Sequence, residues 1–373
     1  MATLEEKIQL LEQQISDERQ KLSADRMDIS FGEIMNLYKQ SELIIRPEYQ
    51  RLFRWTNTQK TLLIESILMG IPIPPIFVAE DENGVWELVD GLQRVSTIIS
   101  FFGNLKPNLV QTYEVSDVVE DLVSNSNNWE LEAGDIIKDL EGFNVETLPQ
   151  KYKLNIKRAV CRVEILRGES NTSLKYELFK RLNSGGTKLT PQEIRNAVYR
   201  GINPDLNELI TELSQNSDFK HLTNLSETKI RELYDQELIL RFVAFYQNVN
   251  NINLSTQSFL DKFMDETTST GNLDSEKYKE IFNSTIALLT EIGDNNIFRN
   301  ERNLFVPAMF EGVMIGTSEN LDYYVNHTDE LREKIRQLQT DDEFKRLSGS
   351  ASNSRSRIKK RLQRAQEIFS YGN

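Results

Sequence analysis

Gly84-Val-Trp-Glu-Leu-Val-Asp90-Gly91-Leu-Gln93-Arg94-Val-Ser96-Thr97-Ile-Ile-Ser-Phe-Phe102 decides how this chain is read. Val85 to Val89 form a short apolar strand that runs through Asp90-Gly91 into the first turn of an apolar helix. Glycine at the turn permits positive φ and close backbone approach. The N–H groups of a helix start, with Gln93 and Arg94 beside them, suit an anion such as a phosphate. Asp90 adds a carboxylate that either holds a metal or orients water. The same residues also fit an ordinary strand-to-helix turn with an N-cap and a solvated arginine, so the neighbouring segments have to decide.

Upstream, Ile44-Ile45-Arg46-Pro47-Glu48-Tyr49-Gln50-Arg51-Leu52-Phe53-Arg54-Trp55 sets aromatics and three arginines against one acidic residue. Guanidinium and aromatic groups together offer phosphate contacts and stacking surfaces, which suits a base or nucleotide. Taken alone, the block reads better as core aromatics with exposed arginines. Downstream, Tyr176 to Ile194 gives a helix, the turn Asn183-Ser184-Gly185-Gly186-Thr187-Lys188, and a second helix start. There Thr190, Pro191 and Glu193 form a capping-box pattern.

In order along the chain come Pro-x-Tyr-Gln-Arg-x-Phe-x-Trp at 47–55, a helix ending in Glu65-Ser66-Ile67-Leu68, Ile71-Pro72-Ile73-Pro74, and Asp90-Gly91-Leu92-Gln93-Arg94. Phe179-Lys180-Arg181-Leu182-Asn183 and Leu189-Thr190-Pro191-Gln192-Glu193-Ile194 follow. This set resembles the GmrS-type DGQQR domain over about residues 28–200. That domain belongs to the ParB/sulfiredoxin-like superfamily and is the nucleotide-hydrolysing half of GmrSD-type modification-dependent restriction and phage-defence systems. The resemblance implies a nucleoside triphosphate with magnesium as the ligand and Asp90, Gln93 and Arg94 as the catalytic set. It implies a pocket completed by Tyr49, Gln50, Arg51, Trp55, Gly91, Ser96, Thr97, Arg181 and Asn183. One position departs: Leu92 stands where the family has the first glutamine of Asp-Gly-Gln-Gln-Arg. A ligand-facing glutamine there would make hydrolysis sensitive to the change, whereas one facing the sheet would make leucine neutral.

Absences narrow the function. The two histidines, His221 and His327, lie outside any His-Asn-His-like setting, so nuclease chemistry of that kind is not expected from this sequence. GmrSD-like systems place the nucleotide domain and the His-Asn-His nuclease on one chain or on two, so the resemblance implies a nuclease subunit as partner. No Gly-x-x-x-x-Gly-Lys-Ser/Thr loop, Gly-x-Ser-x-Gly elbow or zinc-ligand spacing occurs. The alternative is a non-catalytic DNA-sensing or adaptor protein that holds a modified base or DNA backbone in the same pocket. A ParB-like partition factor would need a helix-turn-helix set that is not recognisable here.

With 373 residues and 39% hydrophobic content, the chain has material for two cores and is not mostly disordered. Its net charge of −13 disfavours strong non-specific DNA binding. Against that balance stands a basic run of Arg355, Arg357, Lys359, Lys360, Arg361 and Arg364. The run either touches nucleic acid or lines the outer face of a docked helix, and the helical recurrence of Ile358, Leu362, Ala365 and Phe369 favours the docked helix. Ten acidic residues against one lysine between Glu114 and Glu146 read as a solvated insertion, near 114–147, rather than a metal cluster. Cys161, the one cysteine, reads as a core residue. The start lacks a signal peptide's apolar run and no stretch is long enough to span a bilayer, so a cytoplasmic location is expected.

The expected architecture is α+β: residues 1–27 an amphipathic helix, 28–200 a small ParB/sulfiredoxin-like mixed-sheet domain, and 201–373 a mainly helical domain. Leu4, Ile8, Leu11, Ile15 and Leu22 make a heptad seam of fewer than three repeats, which serves either a homo-oligomer or packing on its own domain or a partner. Leu62, Ile64, Ile67 and Leu68 give the helix after Thr58 a buried face. The proline-interrupted Ile71 to Ala79 is expected at a sheet edge, and Arg158 to Leu166 supplies another strand. Helices are expected at 229–247, 256–264, 277–292, 304–315 and 328–338.

Overall fold

The computed structural model describes residues 3–20, 23–45, 55–81, 83–106, 127–167, 189–199, 203–294, 296–300, 302–349 and 352–371. The chain divides into two compact units, Met1–Lys188 and Leu189–Asn373.

In the first unit, a five-stranded mixed sheet runs in the order β1-β5-β3-β4-β2. The strands are β1 Ser23–Ser30, β2 Leu43–Ile44, β3 Ile76–Glu80, β4 Trp86–Asp90 and β5 Val160–Arg167. β1 lies antiparallel to β5, β5 parallel to β3, β3 antiparallel to β4, and β4 parallel to β2. The helices of this unit are α1 Leu4–Gln20, α2 Phe31–Lys39, α3 Asn57–Leu68, α4 Leu92–Phe101 and α5 Gln150–Arg158. Alternation on β5 buries Cys161, Val163 and Ile165, while exposed Arg162 pairs with Asp28 across the ladder at 3.1 Å.

The proline-preceded strand does not lie at an edge. β3 sits mid-sheet between β5 and β4, because Pro72, Pro74 and Pro75 all precede its first residue and so remove no N–H from its ladder. An edge is instead formed by β1, which occupies part of the segment expected to be helical up to residue 27. Its Asp25, Arg26 and Asp28 give it the charge that protects an open edge. On α1, Leu4, Ile8, Leu11 and Ile15 are all exposed. On α3 the buried stripe is Leu63, Ile64 and Ile67, with Leu62 and Leu68 half-buried.

Residues 127–147 of the acidic stretch are described. They are anchored as well as solvated: Trp129, Leu131 and Leu140 are buried, and Glu130, Glu132, Asp135, Asp139 and Glu141 are exposed. Glu65 of α3, itself buried, accepts N–H bonds from Ile137 at 2.6 Å, Ile136 at 2.8 Å and Asp135 at 3.2 Å. The Ile137 bond above all holds its carboxyl below the usual carboxylate range, against the opposing effect of burial.

The second unit is helical, with α6 Pro191–Tyr199, α7 Pro204–Ser214, α8 Ser217–Thr223, α9 Glu227–Arg231, α10 Tyr234–Phe245 and α11 Thr256–Thr270. It continues through α12 Ser275–Glu291, α13 Pro307–Ser318, α14 Leu321–Tyr324, α15 Thr328–Thr340, α16 Asp342–Ser348 and α17 Arg355–Phe369. The capping box at Thr190 forms: its N–H donates to the Glu193 carboxylate at 2.7 Å, and the Glu193 N–H donates to Thr190 Oγ1 at 3.2 Å. α6 packs against α7, α10 and α11, and the compact units divide between Lys188 and Leu189. The helix expected over 229–247 breaks into α9 and α10 at Leu233, whose φ is +56°.

α10 and α13 are buried on every side, from Asp235 to Phe245 and from Ala308 to Ser318, and form the centre of the unit. Charges inside this core are matched. Arg241 donates to Glu237 at 2.6 Å and to Glu311 at 2.5 Å, and Arg361 of α17 donates to the other Glu311 oxygen. Arg195 of α6 reaches Asp261 at 2.7 Å and Glu237 at 3.6 Å. α17 seats closely because position 316 is glycine: a Cβ there would come within 2.5 Å of the Phe369 ring.

Burial pushes the Glu311 carboxyl up, but the Arg361 and Arg241 guanidiniums outweigh it and leave it below the usual range. A depressed acid contributes stability that is complete above its unfolded-state value and is lost as pH falls through the folded one. The thermal midpoint of the second unit is therefore expected to hold at neutral pH and to fall on acidification below the ordinary carboxylate range. Glu311→Ala, which strands two buried guanidiniums, should cost about 3–5 kcal/mol in denaturant unfolding.

Candidate functional site

The junction that opens the sequence argument is built from the end of β4 and the start of α4. Gly91 is the N-cap of α4 with φ +100°, a left-handed conformation. A Cβ at this position would lie 2.5 Å from Ile76 Cγ2 and 2.9 Å from Ile76 Cβ, so steric space and backbone angle both require glycine. Asp90 pairs with Phe77 across the sheet, next to a register shift at Phe77/Val78. Such bulges re-aim side chains at the ends of strands. No side chain caps α4, so its first turn lacks the usual side-chain acceptor for helix-start N–H groups.

Arg94 folds back over this turn. Its guanidinium donates to Asp90 Oδ2 at 2.9 Å, to the Pro75 carbonyl at 2.9 Å and to the Pro74 carbonyl. Both members of the ion pair are largely enclosed, with 14% of the Arg94 side chain and 27% of the Asp90 side chain exposed. Burial raises the Asp90 carboxyl above its usual range, although Arg94 and the Gly91 N–H pull it down. A cation brought to Asp90 would favour its charged form. Gln93 Oε1 accepts the Trp55 N–H at 3.2 Å, and the Thr56–Gln59 capping box fixes the start of α3 immediately after Trp55.

Of the residues expected at a ligand, the structure gathers Asp90, Gly91, Gln93, Arg94 and half-buried Trp55. Ser96 and Thr97 are fully buried on α4, and the Thr97 hydroxyl donates to the Gln93 carbonyl at 2.6 Å. Every residue of α4 from Val95 to Phe101 is buried. Tyr49, Gln50, Arg51, Arg181 and Asn183 lie outside the described residues. Leu92 is half-buried at the first helical position.

The sequence reading missed the Pro74 and Pro75 carbonyls as partners of Arg94. A signal was present, since a residue that precedes proline is held extended and presents its carbonyl outward from any helix. Cys161, near this site on β5, is pushed up to about 11 by burial, so its thiol stays protonated at neutral pH and is no nucleophile. Among the described residues, no group of three or more His, Cys, Asp or Glu side chains is placed to hold a metal. A magnesium ion carried in on a triphosphate needs no such cluster, because one or two protein carboxylates suffice beside phosphate and water oxygens. Asp90 fits that role.

Residues 31–200 match the family described as the GmrSD restriction endonuclease, N-terminal domain. This stretch is similar to that family. The matched stretch includes the whole Asp90–Arg94 junction and continues past Lys188 through α6. No curated protein and no solved structure matches the chain. No described helix is long and apolar enough to cross a membrane.

The basic run is only partly available for nucleic acid. Ile358, Leu362, Ala365 and Phe369 are buried, as a docked helix requires. Arg361 falls on the same face, buried against Glu311, and cannot reach a phosphate. Arg364 is tied to Asp341 at 2.7 Å and Glu367 at 3.0 Å. Arg355 and Lys360 are exposed, and Arg357 and Lys359 are half-buried.

Gly91→Ala should cost at least about 1–2 kcal/mol from the left-handed backbone alone, with the Ile76 clash added. In a double-mutant cycle measured by denaturant unfolding, Ile76→Ala should recover part of that loss, since it removes the Cγ2 atom that the new methyl meets.

Proposed function

We propose that this chain is a nucleotide-binding, NTP-hydrolysing regulatory subunit of a modification-dependent restriction system and works with a nuclease subunit. The observation that carries this reading is the largely enclosed Asp90–Arg94 ion pair beside Gly91 and Gln93, at a strand-to-helix turn within the stretch that matches the GmrSD N-terminal domain. Asp90 is the residue to hold magnesium or orient water, and Gln93 to position the attacking water. Arg94 neutralises phosphate charge by exchanging a proline carbonyl for a phosphate oxygen. Positioning and charge neutralisation are what phosphoryl transfer chiefly demands. A bound nucleotide then biases the chain between two states that the nuclease reads.

One observation favours a second reading. Arg94 is already bonded to one carboxylate and two carbonyls, and Leu92 replaces the first glutamine of the family signature, which suits a ligand-gated or DNA-sensing adaptor that does not hydrolyse.

Phosphate release across the four ribonucleoside triphosphates with magnesium separates the two. Hydrolysis should fall about 100-fold in Gln93→Ala and in Asp90→Asn with the thermal midpoint preserved. Arg94→Ala should lose both hydrolysis and some stability, because the Pro74–Pro75 segment loses its clamp. Nucleotide-induced stabilisation without turnover would favour the adaptor. The absence of both would overturn nucleotide binding.

A further inference from the structure

A cavity of about 840 Å³ opens in the second unit between α11, the segment 248–253 and the start of α17. Lys262, Arg355, Lys359 and Lys360 line it, against the single carboxylate of Glu266. In a chain of net charge −13, such a concentration of cations is a local reversal of the field. Among the described residues Arg355 and Lys360 make no hydrogen bond or ion pair, and only Lys262 is partly neutralised, by Glu266 at 3.4 Å.

The walls are braced. Lys359 Nζ donates to the Asn250 carbonyl at 2.6 Å and the Gln363 amide donates to Asn250 Oδ1 at 3.1 Å, which fixes the segment 248–253 to α17. The Thr256 N–H donates to the Asn353 carbonyl at 3.1 Å, which ties the start of α11 to the approach to α17. Beneath them, Arg361 locks α17 to Glu311 in the core. The cations are therefore carried on a fixed frame rather than on a loose tail.

The remaining lining is chemically selective. Asn248, Asn250, Asn251 and Asn253 supply amides, each able to donate and accept, and half-buried Phe263 supplies an aromatic face. Cations for phosphates, amides for base edges and a ring for stacking together describe a nucleic-acid strand with unpaired bases. A concave site also suits single-strand bases better than the convex backbone of a duplex. We propose that this cavity binds a single strand of nucleic acid, with its phosphodiesters on Arg355, Lys359, Lys360 and Lys262 and a base against Phe263. The proposal is independent of nucleotide hydrolysis in the first unit.

The test is fluorescence anisotropy of a labelled single-stranded oligonucleotide with the full-length chain over a salt series. Arg355→Glu/Lys360→Glu should weaken binding at least tenfold and flatten the log–log salt dependence by about 1.4, roughly 0.7 for each phosphate left without its cation. Phe263→Ala should weaken it about fivefold or more with little change in salt slope. Arg302→Glu/Arg336→Glu, an equal charge change outside the cavity, should leave binding within twofold. Equal losses in the two double variants, or no binding by the unaltered chain at low salt, would overturn the proposal. So would binding of mononucleotides but not of the strand, which would make the cavity a small-ligand site. An unchanged thermal midpoint in each variant excludes unfolding as the cause.

Discussion

Glu311 is the point on which the second unit turns. It is almost completely buried and meets guanidiniums from two helices, Arg241 of α10 and Arg361 of α17. A buried carboxylate is tolerable only when it is paired and hydrogen-bonded. The arrangement continues outward through Glu237 to Arg195 and Asp261, so five helices, α6, α10, α11, α13 and α17, are joined by charges that cannot be rearranged one at a time. Apolar packing alone would let α17 slide along α13. The Arg361–Glu311 pair, together with the tight approach of Phe369 to Gly316, gives it one register. The basic groups on the exposed side of α17 inherit their positions from that register.

In the first unit, constraint is concentrated at one turn. Gly91 lies against Ile76 at the first residue of β3, and Arg94 grips the two carbonyls just before it. The strand that carries Asp90 and the proline segment are thus held together from two directions. Arg94 is a structural clamp and a phosphate-binding candidate at once, and the two roles compete for the same donors. A ligand that draws Arg94 away from the Pro74 or Pro75 carbonyl would loosen the segment leading into the central strand, a direct route from occupancy to a change of conformation.

Local patterns were legible in the sequence. The capping box at Thr190, the glycine-requiring turn at Gly91 and the docked α17 all follow from spacing within a few residues, and each is present. What could not be read depended on tertiary placement. β1 is polar because it is an edge, and nothing within Ser23–Ser30 says which strand it joins. β3 looked like an edge because of prolines that turn out to stop one residue short of it. Ser96 and Thr97 read as ligand groups from their place after the Asp90–Gly91 turn, and only the fold shows that α4 is buried from Val95 to Phe101. Arg361 is instructive in another way: it stands three residues after Ile358 and four before Ala365, on the buried face by periodicity, and only its charge argued for solvent.

The single thiol of the chain sits in the middle of the first unit. Cys161 is buried on β5, flanked by β1 on one side and β3 on the other, and protonated at neutral pH. The second unit has no cysteine. The protein thus carries a built-in reporter of one half of itself. A thiol reagent meets no reactive group while the sheet is closed, and its rate of reaction follows the opening of the sheet around β5. The opening of the first unit can therefore be timed in the intact chain, without any label being introduced.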